Sequence, residues 1–159
     1  MMEAVLAVLL IAGGVGLDRW TKHWAERVLR PVGTIKLWDG VFQLTYAENR
    51  GAAFSMFHGQ RWFLIAVTGA VLLLILWALF RRWIPRGMAR WAAYCVVAGA
   101  AGNLIDRAAR GYVVDFFDFC LINFAIFNVA DVFVCVGGGL FALWLIIGMA
   151  RERREGKKP

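Results

Sequence analysis

Long uncharged apolar runs alternate with short polar stretches along this chain. Residues 62–80 (WFLIAVTGAVLLLILWALF) carry no charge across 19 positions, and neither do residues 132–150 (VFVCVGGGLFALWLIIGMA). At about 1.5 Å per residue each run makes a helix of about 28 Å, close to the hydrocarbon thickness of a bilayer. Both predict transmembrane helices. Two shorter runs extend the pattern. Residues 4–17 (AVLAVLLIAGGVGL) are apolar up to Asp18, and residues 91–105 (WAAYCVVAGAAGNLI) are interrupted by Asn103. Each is a little short, so the polar residues at its end are expected at membrane depth or at the interface. Asp18 and Lys22 stand four residues apart, which puts them on one helical face and lets the first helix continue past Asp18. Trp20 and Trp24 then suit an interfacial aromatic belt. The pattern predicts an all-α membrane protein, a single domain over 1–159 with four spans at about 4–24, 62–80, 89–106 and 131–150.

The period changes between the first two spans. Residues 34–38 (TIKLW) and 41–46 (VFQLTY) read as short strands around Asp39-Gly40, a two-residue hairpin signal. Glu48-Asn49-Arg50-Gly51-Ala52-Ala53-Phe54-Ser55 follows. Gly51 and the two alanines permit close backbone approach, and Asn49 offers both a donor and an acceptor. A small β-sheet cradle is therefore expected over about 31–60, on the same membrane face as the 106–131 segment. One polar ribbon and two aspartates on one face suggest a site for an extended peptide, clamped by main-chain hydrogen bonds along 40–60.

Composition supports the membrane reading: 61% of the residues are hydrophobic and 18% charged, against about half and a quarter in a soluble domain. The net charge of +7 raises the question of nucleic acid, but the basic residues lie outside the spans. Arg81, Arg82, Arg86 and Arg90 crowd the loop after the second span; Arg151, Arg153, Arg154, Lys157 and Lys158 follow the fourth. Four spans put both groups on one side, which the positive-inside rule makes cytoplasmic. The opposite face is also basic, but its charges are spread through 18–61 and mixed with acids. Both termini are thus expected inside and the cradle outside, with a short frayed tail after Ala150. The N-terminus lacks a basic region and no small-residue cleavage site follows the first run, so that run is expected to stay as an anchor.

Scarcity narrows the chemistry. Ser55 is the only serine and sits in no GxSxG elbow, which leaves little for a Ser-Lys protease with Lys22 or Lys36 as base. His23 and His58 are the only histidines, form no HExxH and read as interfacial or loop residues rather than metal ligands. Cys95, Cys120 and Cys135 form no CxxC, and Cys95 and Cys135 read as small apolar core residues inside spans. Carboxylates remain. Glu26 is placed to pair with Arg30, and Asp106 with Arg107 reads as an ion pair fixing the end of the third span beside Asn103. Asn128 and Asp131 repeat the spacing of Asn103 and Asp106. Asp115 and Asp131 differ from the other acids, because neither has a basic residue within four positions. Desolvation and a second carboxylate both raise a carboxyl pKa, so two such acids can share a proton near neutrality and activate water without a metal. Spacing alone leaves three readings open: a catalytic dyad, a small proton-relay or transporter protein, and polar anchors in an assembly protein. The hairpin and the Asn49 loop favour peptide handling, since a relay needs neither.

Five ordered motifs then carry a resemblance over nearly the whole chain: Asp18-Arg19-Trp20-Thr21-Lys22, Asn49-Arg50-Gly51-Ala52-Ala53-Phe54-Ser55, Ala98-Gly99-Ala100-Ala101-Gly102-Asn103-Leu104-Ile105-Asp106-Arg107, Val113-Val114-Asp115-Phe116 and Phe127-Asn128-Val129-Ala130-Asp131. On these the chain resembles the lipoprotein signal peptidases, the type II signal peptidases of bacteria. The resemblance implies a four-helix enzyme of the bacterial cytoplasmic (inner) membrane, with both termini cytoplasmic, its active site facing outward and a small extracytoplasmic β-sheet cradle. It implies an aspartic endopeptidase that needs no cofactor or metal and removes the signal peptide of a diacylglyceryl-modified prolipoprotein just before the lipidated cysteine. The implied catalytic residues are Asp115 and Asp131, and the supporting positions are Asp18, Lys22, Asn49, Gly51, Asn103, Asp106, Arg107, Asn128 and Ala130. Implied partners are the lipid-modified precursor, membrane lipid and globomycin-type cyclic peptides, with no nucleic acid. One departure is small: the stretch before Asn103 more often begins Gly-Gly, where Ala98-Gly99 stands here, and alanine still permits close helix packing.

Overall fold

The computed structural model describes residues 2–51, 56–122 and 124–155; the expectations for Ala52, Ala53, Phe54, Ser55, Lys157 and Lys158 lie outside the described residues. Among these residues four α-helices and three strands run in the order α1 (Met2–Val32), β1 (Thr34–Trp38), β2 (Phe42–Asn49), α2 (Arg61–Phe80), α3 (Met88–Arg110), β3 (Val113–Asp118) and α4 (Val129–Glu155), with a short 3-10 turn at Cys120–Ile122 before α4. The first helix does continue past Asp18, and further than residue 24. It stops where Gly33 takes φ +76° and its N–H closes on Leu29 O at 2.7 Å. The third ends four residues beyond the expected 106, on Gly111 at φ +84°. The fourth holds its helix through Arg151 and Glu152 to Glu155, where a frayed tail was expected.

α2 and α4 are long and apolar enough to cross a bilayer, with mean hydropathies of 2.7 and 2.3. Only 11% and 6% of those windows is buried against protein. Their side chains, Leu73 and Ile146 among them, therefore face outward, the reverse of a core helix in a soluble protein. α1 and α3 turn polar residues inward instead: Asp18, Lys22, Asn103 and Asp106 are all buried. Glycines let α3 and α4 touch backbone to backbone. Gly99 lies against Ala130 O, and a Cβ on Gly137 would sit 2.7 Å from Ala92 O.

The strands form one antiparallel sheet in the order β1-β2-β3. Trp38 pairs with Phe42, so the hairpin loop has three residues, Asp39 to Val41, where two were expected. Gly40 takes φ +69° there and Val41 N bonds Trp38 O at 3.0 Å, a geometry the short strand after Asp-Gly does not by itself specify. β2 reaches Asn49, beyond the expected 46, because β3 supplies it with a second partner. The sheet packs on the far end of α1 through Ala25, Leu29, Val114 and Phe116. Phe127 exchanges hydrogen bonds with Phe117 (2.8 and 3.1 Å), which brings the start of α4 beside β3.

Candidate active site

Asp115 is the third residue of β3 and is 2% exposed. Asp131 occupies the first turn of α4. There Asn128 and Asp131 form a reciprocal cap: Asp131 N bonds Asn128 Oδ1 and Asn128 N bonds Asp131 Oδ2, both at 3.0 Å. The Asn-x-x-Asp spacing seen in the sequence is this capping box, and it orients the carboxylate as it satisfies the helix end. Asn128 also donates to Asp115 Oδ1 at 2.6 Å and to Asn103 Oδ1 at 3.2 Å, while Asn103 donates to Asp131 Oδ1 at 2.8 Å. Two asparagines thus bridge two carboxylates that stand sixteen residues apart in sequence, as the numbering from Asp115 to Asp131 gives.

A third amide holds Asp115 from the sheet. Asn49 donates to Asp115 Oδ2 at 3.0 Å and accepts from Gly51 N at 2.9 Å, and Arg107 Nη2 binds Gly51 O at 2.8 Å. Burial, followed by the neighbouring Asp131 carboxylate, pushes Asp115 up to about 7, against the opposing bonds from Asn49 and Asn128. Asp115 can therefore carry or release a proton near neutral pH.

Beneath the pair lies an ionic block. Lys22 Nζ, fully buried, reaches Asp18 Oδ2 at 2.8 Å, Asp106 Oδ2 at 2.9 Å and Asn103 Oδ1 at 3.0 Å. Asp18 Oδ1 accepts from Ala130 N at 3.0 Å, so α1 holds the first turn of α4 directly. The expected i,i+4 pair of Asp18 and Lys22 is present. The expected Asp106–Arg107 pair is not: Asp106 pairs with Lys22 and Arg19, while Arg107 turns to Gly51. Adjacent residues on a helix point to different faces, so tertiary partners decide. Glu26 likewise pairs with Arg110 rather than Arg30, which reaches Glu48 at 3.7 Å.

Two contributors escaped the sequence reading. Arg61 donates to the carbonyls of Arg107 (2.8 Å) and Ala108 (2.7 Å), capping α3 where Arg107 leaves it; a lone cation ahead of an apolar run gave no signal of that. Gly102 was legible only as part of a packing stretch. A Cβ there would stand 2.6 Å from Asp18 Oδ2 and 3.3 Å from Ala130 Cβ. Gly102→Ala is therefore expected to displace the Asp18 carboxylate and the start of α4. It should lower the thermal midpoint and cut activity at least tenfold by moving Asp131, a misplacement of the kind that costs about 10²-fold in a preorganised site. A parental melting curve and rate would contradict it.

A cavity of about 440 Å³ is lined by Asn49, Asn103, Arg107, Asp115 and Asp131 together with Phe124, Ile126, Val132 and Val136. Cys135 also lines it and is exposed, where a buried core residue was expected; Cys95 is buried as expected. A mostly apolar cavity with two carboxylates in its lining, in a bundle whose apolar helices face outward, fits the class of membrane enzymes.

The comparisons agree with that class. The family model described as "Signal peptidase (SPase) II" matches residues 7–147. A lipoprotein signal peptidase of Clostridioides difficile (strain 630) is 38% identical over 94% of this chain and 100% of its own. One of Brevibacillus brevis is 40% identical over 91% and 97%, and one of Lactococcus lactis subsp. lactis is 39% identical over 86% and 90%. A solved bacterial membrane enzyme superposes with a TM-score of 0.79 at 26% identity, over 97% of this chain and 93% of that one. This chain belongs to the signal peptidase II family.

Proposed function

We propose that this protein is an aspartic endopeptidase that removes the signal peptide from lipid-modified prolipoproteins, with Asp115 and Asp131 as the catalytic pair. The observation that carries the reading is the pair of carboxylates lining one cavity and bridged by Asn103 and Asn128, with one of them poised near neutrality. One carboxylate takes a proton from water as the water oxygen attacks the scissile carbonyl carbon. The other, protonated, donates toward the carbonyl oxygen. Collapse of the tetrahedral adduct breaks the C–N bond, and the new amine takes the proton held by the first carboxyl. Arg107 Nε is buried and lacks a hydrogen-bond partner among the described residues, so it is a donor available to a peptide carbonyl. Asn49, Gly51, Asp18, Lys22, Asp106 and Ala130 hold this geometry rather than react.

Four spans complete the reading, with α1 and α3 crossing beside α2 and α4. The basic α2–α3 turn and the end of α4 face the cytoplasm, and the cavity opens at the outer surface of the cytoplasmic membrane. The apolar cavity wall suits acyl chains, which would hold the scissile bond at the level of the aspartates; globomycin-type cyclic peptides would compete there. β1 covers β2 only along Phe42–Thr45, so main-chain pairing with an extended substrate is left to the Ala47–Asn49 end of β2, which has β3 alone as its strand partner. Peptide contact then falls to Ala47–Asn49 and to the cavity wall. A proton-relay reading has no observation in its favour.

Purified protein in lipid bilayers should cut a diacylglyceryl precursor about tenfold faster than its unlipidated form, since acyl chains concentrate the substrate at the site. Equal rates would remove the lipid from the reading. Loss of activity with a chelator and recovery with zinc would reopen a metal mechanism.

A further inference from the structure

The end of α2 carries a feature that the chemistry at the other end of the bundle does not use. Trp83 N bonds Ala78 O at 2.9 Å and Arg82 N bonds Leu79 O at 3.1 Å, the two bonds of a Schellman cap. That cap needs a left-handed residue at its centre, a position glycine takes at no steric cost. Arg82 stands there at φ +60°. Gly33, Gly40, Gly59, Gly87 and Gly111 hold other positive-φ positions, so Arg82 carries a backbone cost that the chain avoids at those five sites. Its side chain is exposed, as is that of Arg81. The Arg81 guanidinium lies 5.8 Å from the ring centres of both Trp77 and Trp83, whose rings meet edge to face at 4.4 Å. Phe80 beside them is 83% exposed.

The other arginines of the turn have anionic partners. Arg86 and Arg90 both reach Glu3, at 3.7 and 3.3 Å, and Arg90 also caps Ile84 O at 2.8 Å. Among the described residues no carboxylate pairs with Arg81 or Arg82. Arg81 against the indoles and the exposed Arg82 beside it, both without a carboxylate partner among the described residues, end an apolar helix and complement a phosphate at headgroup depth with acyl chains running down the outward face of α2.

We propose that the α2–α3 turn is a binding site for an anionic phospholipid, its phosphate held by Arg81 and Arg82 and its glycerol and upper chains against Trp77, Phe80 and Trp83. The site needs α2 to span the bilayer and is independent of the catalytic reading.

The test is lipid retention by the purified full-length protein in detergent, read by native mass spectrometry with added phosphatidylglycerol or phosphatidylcholine. The parent should keep phosphatidylglycerol preferentially. Arg81→Gln and Arg82→Gly should each weaken that retention by about fivefold, the factor one basic residue contributes near an anionic headgroup. Arg153→Gln, exposed near the end of α4, should leave it unchanged. Arg82→Gly removes the backbone cost, so its melting temperature should be no lower than the parent's, which separates lost binding from lost folding. Its cleavage rate in neutral lipid should be parental, so failure of this inference leaves the peptidase reading standing. Parental retention in Arg82→Gly, equal retention of phosphatidylcholine, or an equal loss in Arg153→Gln would each overturn the site; the last would leave only the general field of a basic face.

Discussion

Asp115→Asn and Asp131→Asn are each expected to leave a folded membrane protein whose cleavage of a lipid-modified precursor falls by about 10³-fold or more, the scale of a lost general acid or base. Asparagine nearly matches aspartate in shape, and at 131 its oxygen can still accept from Asn128 N, which keeps the cap of α4, while its NH₂ then faces the donating Asn103 amide and that hydrogen bond is lost. At 115 the amide NH₂ likewise must face either Asn49 or Asn128, both of which donate, so each variant loses one hydrogen bond at a cost of about 1 kcal/mol. A precursor-processing assay with a melting curve on the same sample checks both parts. Either variant working at the parental rate would end the dyad. Stability against pH supplies a second readout. Asp115 is raised from 3.8 to about 7 in the folded protein, so the folded state holds this proton more tightly than the unfolded chain does. Its contribution to stability is present in full below pH 3.8 and is lost as pH rises through about 7. Asp115→Asn should flatten that part of the stability profile, and an unchanged slope would show that the carboxyl titrates normally.

Lys22→Met should be the most damaging change away from the reacting groups. It removes the one cation that Asp18 and Asp106 share, and leaves the Asp18 carboxylate buried with no cationic partner among the described residues. Breaking a buried ionic cluster from one side costs about 3–5 kcal/mol, because the surviving charge stays desolvated. Asn103 Oδ1 loses a donor in the same step, so the amide that orients Asp131 loosens too. Adding Asp18→Asn removes the stranded charge and should recover part of the loss. A single variant that melts with the parent, or a double variant no better than the single, would show that the block is not ionic in the folded protein.

Legibility followed the range of each interaction. Apolar runs and the i,i+4 placement of Asp18 and Lys22 are local facts, and α2 and the continuation of α1 past Asp18 came out of them, though not its end at Val32. The hairpin was legible to within a residue of its turn. β3 was not, because Val113 to Asp118 is a short run broken by Asp115, and its strand partner β2 lies more than sixty residues earlier. The partners of Asp106, Glu26 and Arg107 failed for the same reason. Nearest-neighbour charge is a weak rule when three helices converge, and Lys22 from α1 outcompetes a residue whose side chain leaves α3 on another face. Asp115 and Asp131 stood out by elimination and by motif, while the amides that join them could be named but not wired.

What the sequence by itself determined is the solvent this protein is built for and the residue types on which its chemistry can draw. Hydrophobic periodicity and the scarcity of serine and histidine are properties of the chain alone. The tertiary structure alone decided which polar groups meet. Only when Gly99, Gly102 and Gly137 let the helices close and β3 lies along α1 do Asn103 and Asn128 reach both carboxylates. Hydrogen bonds act over about 3 Å, and no local pattern brings groups from five elements within that distance.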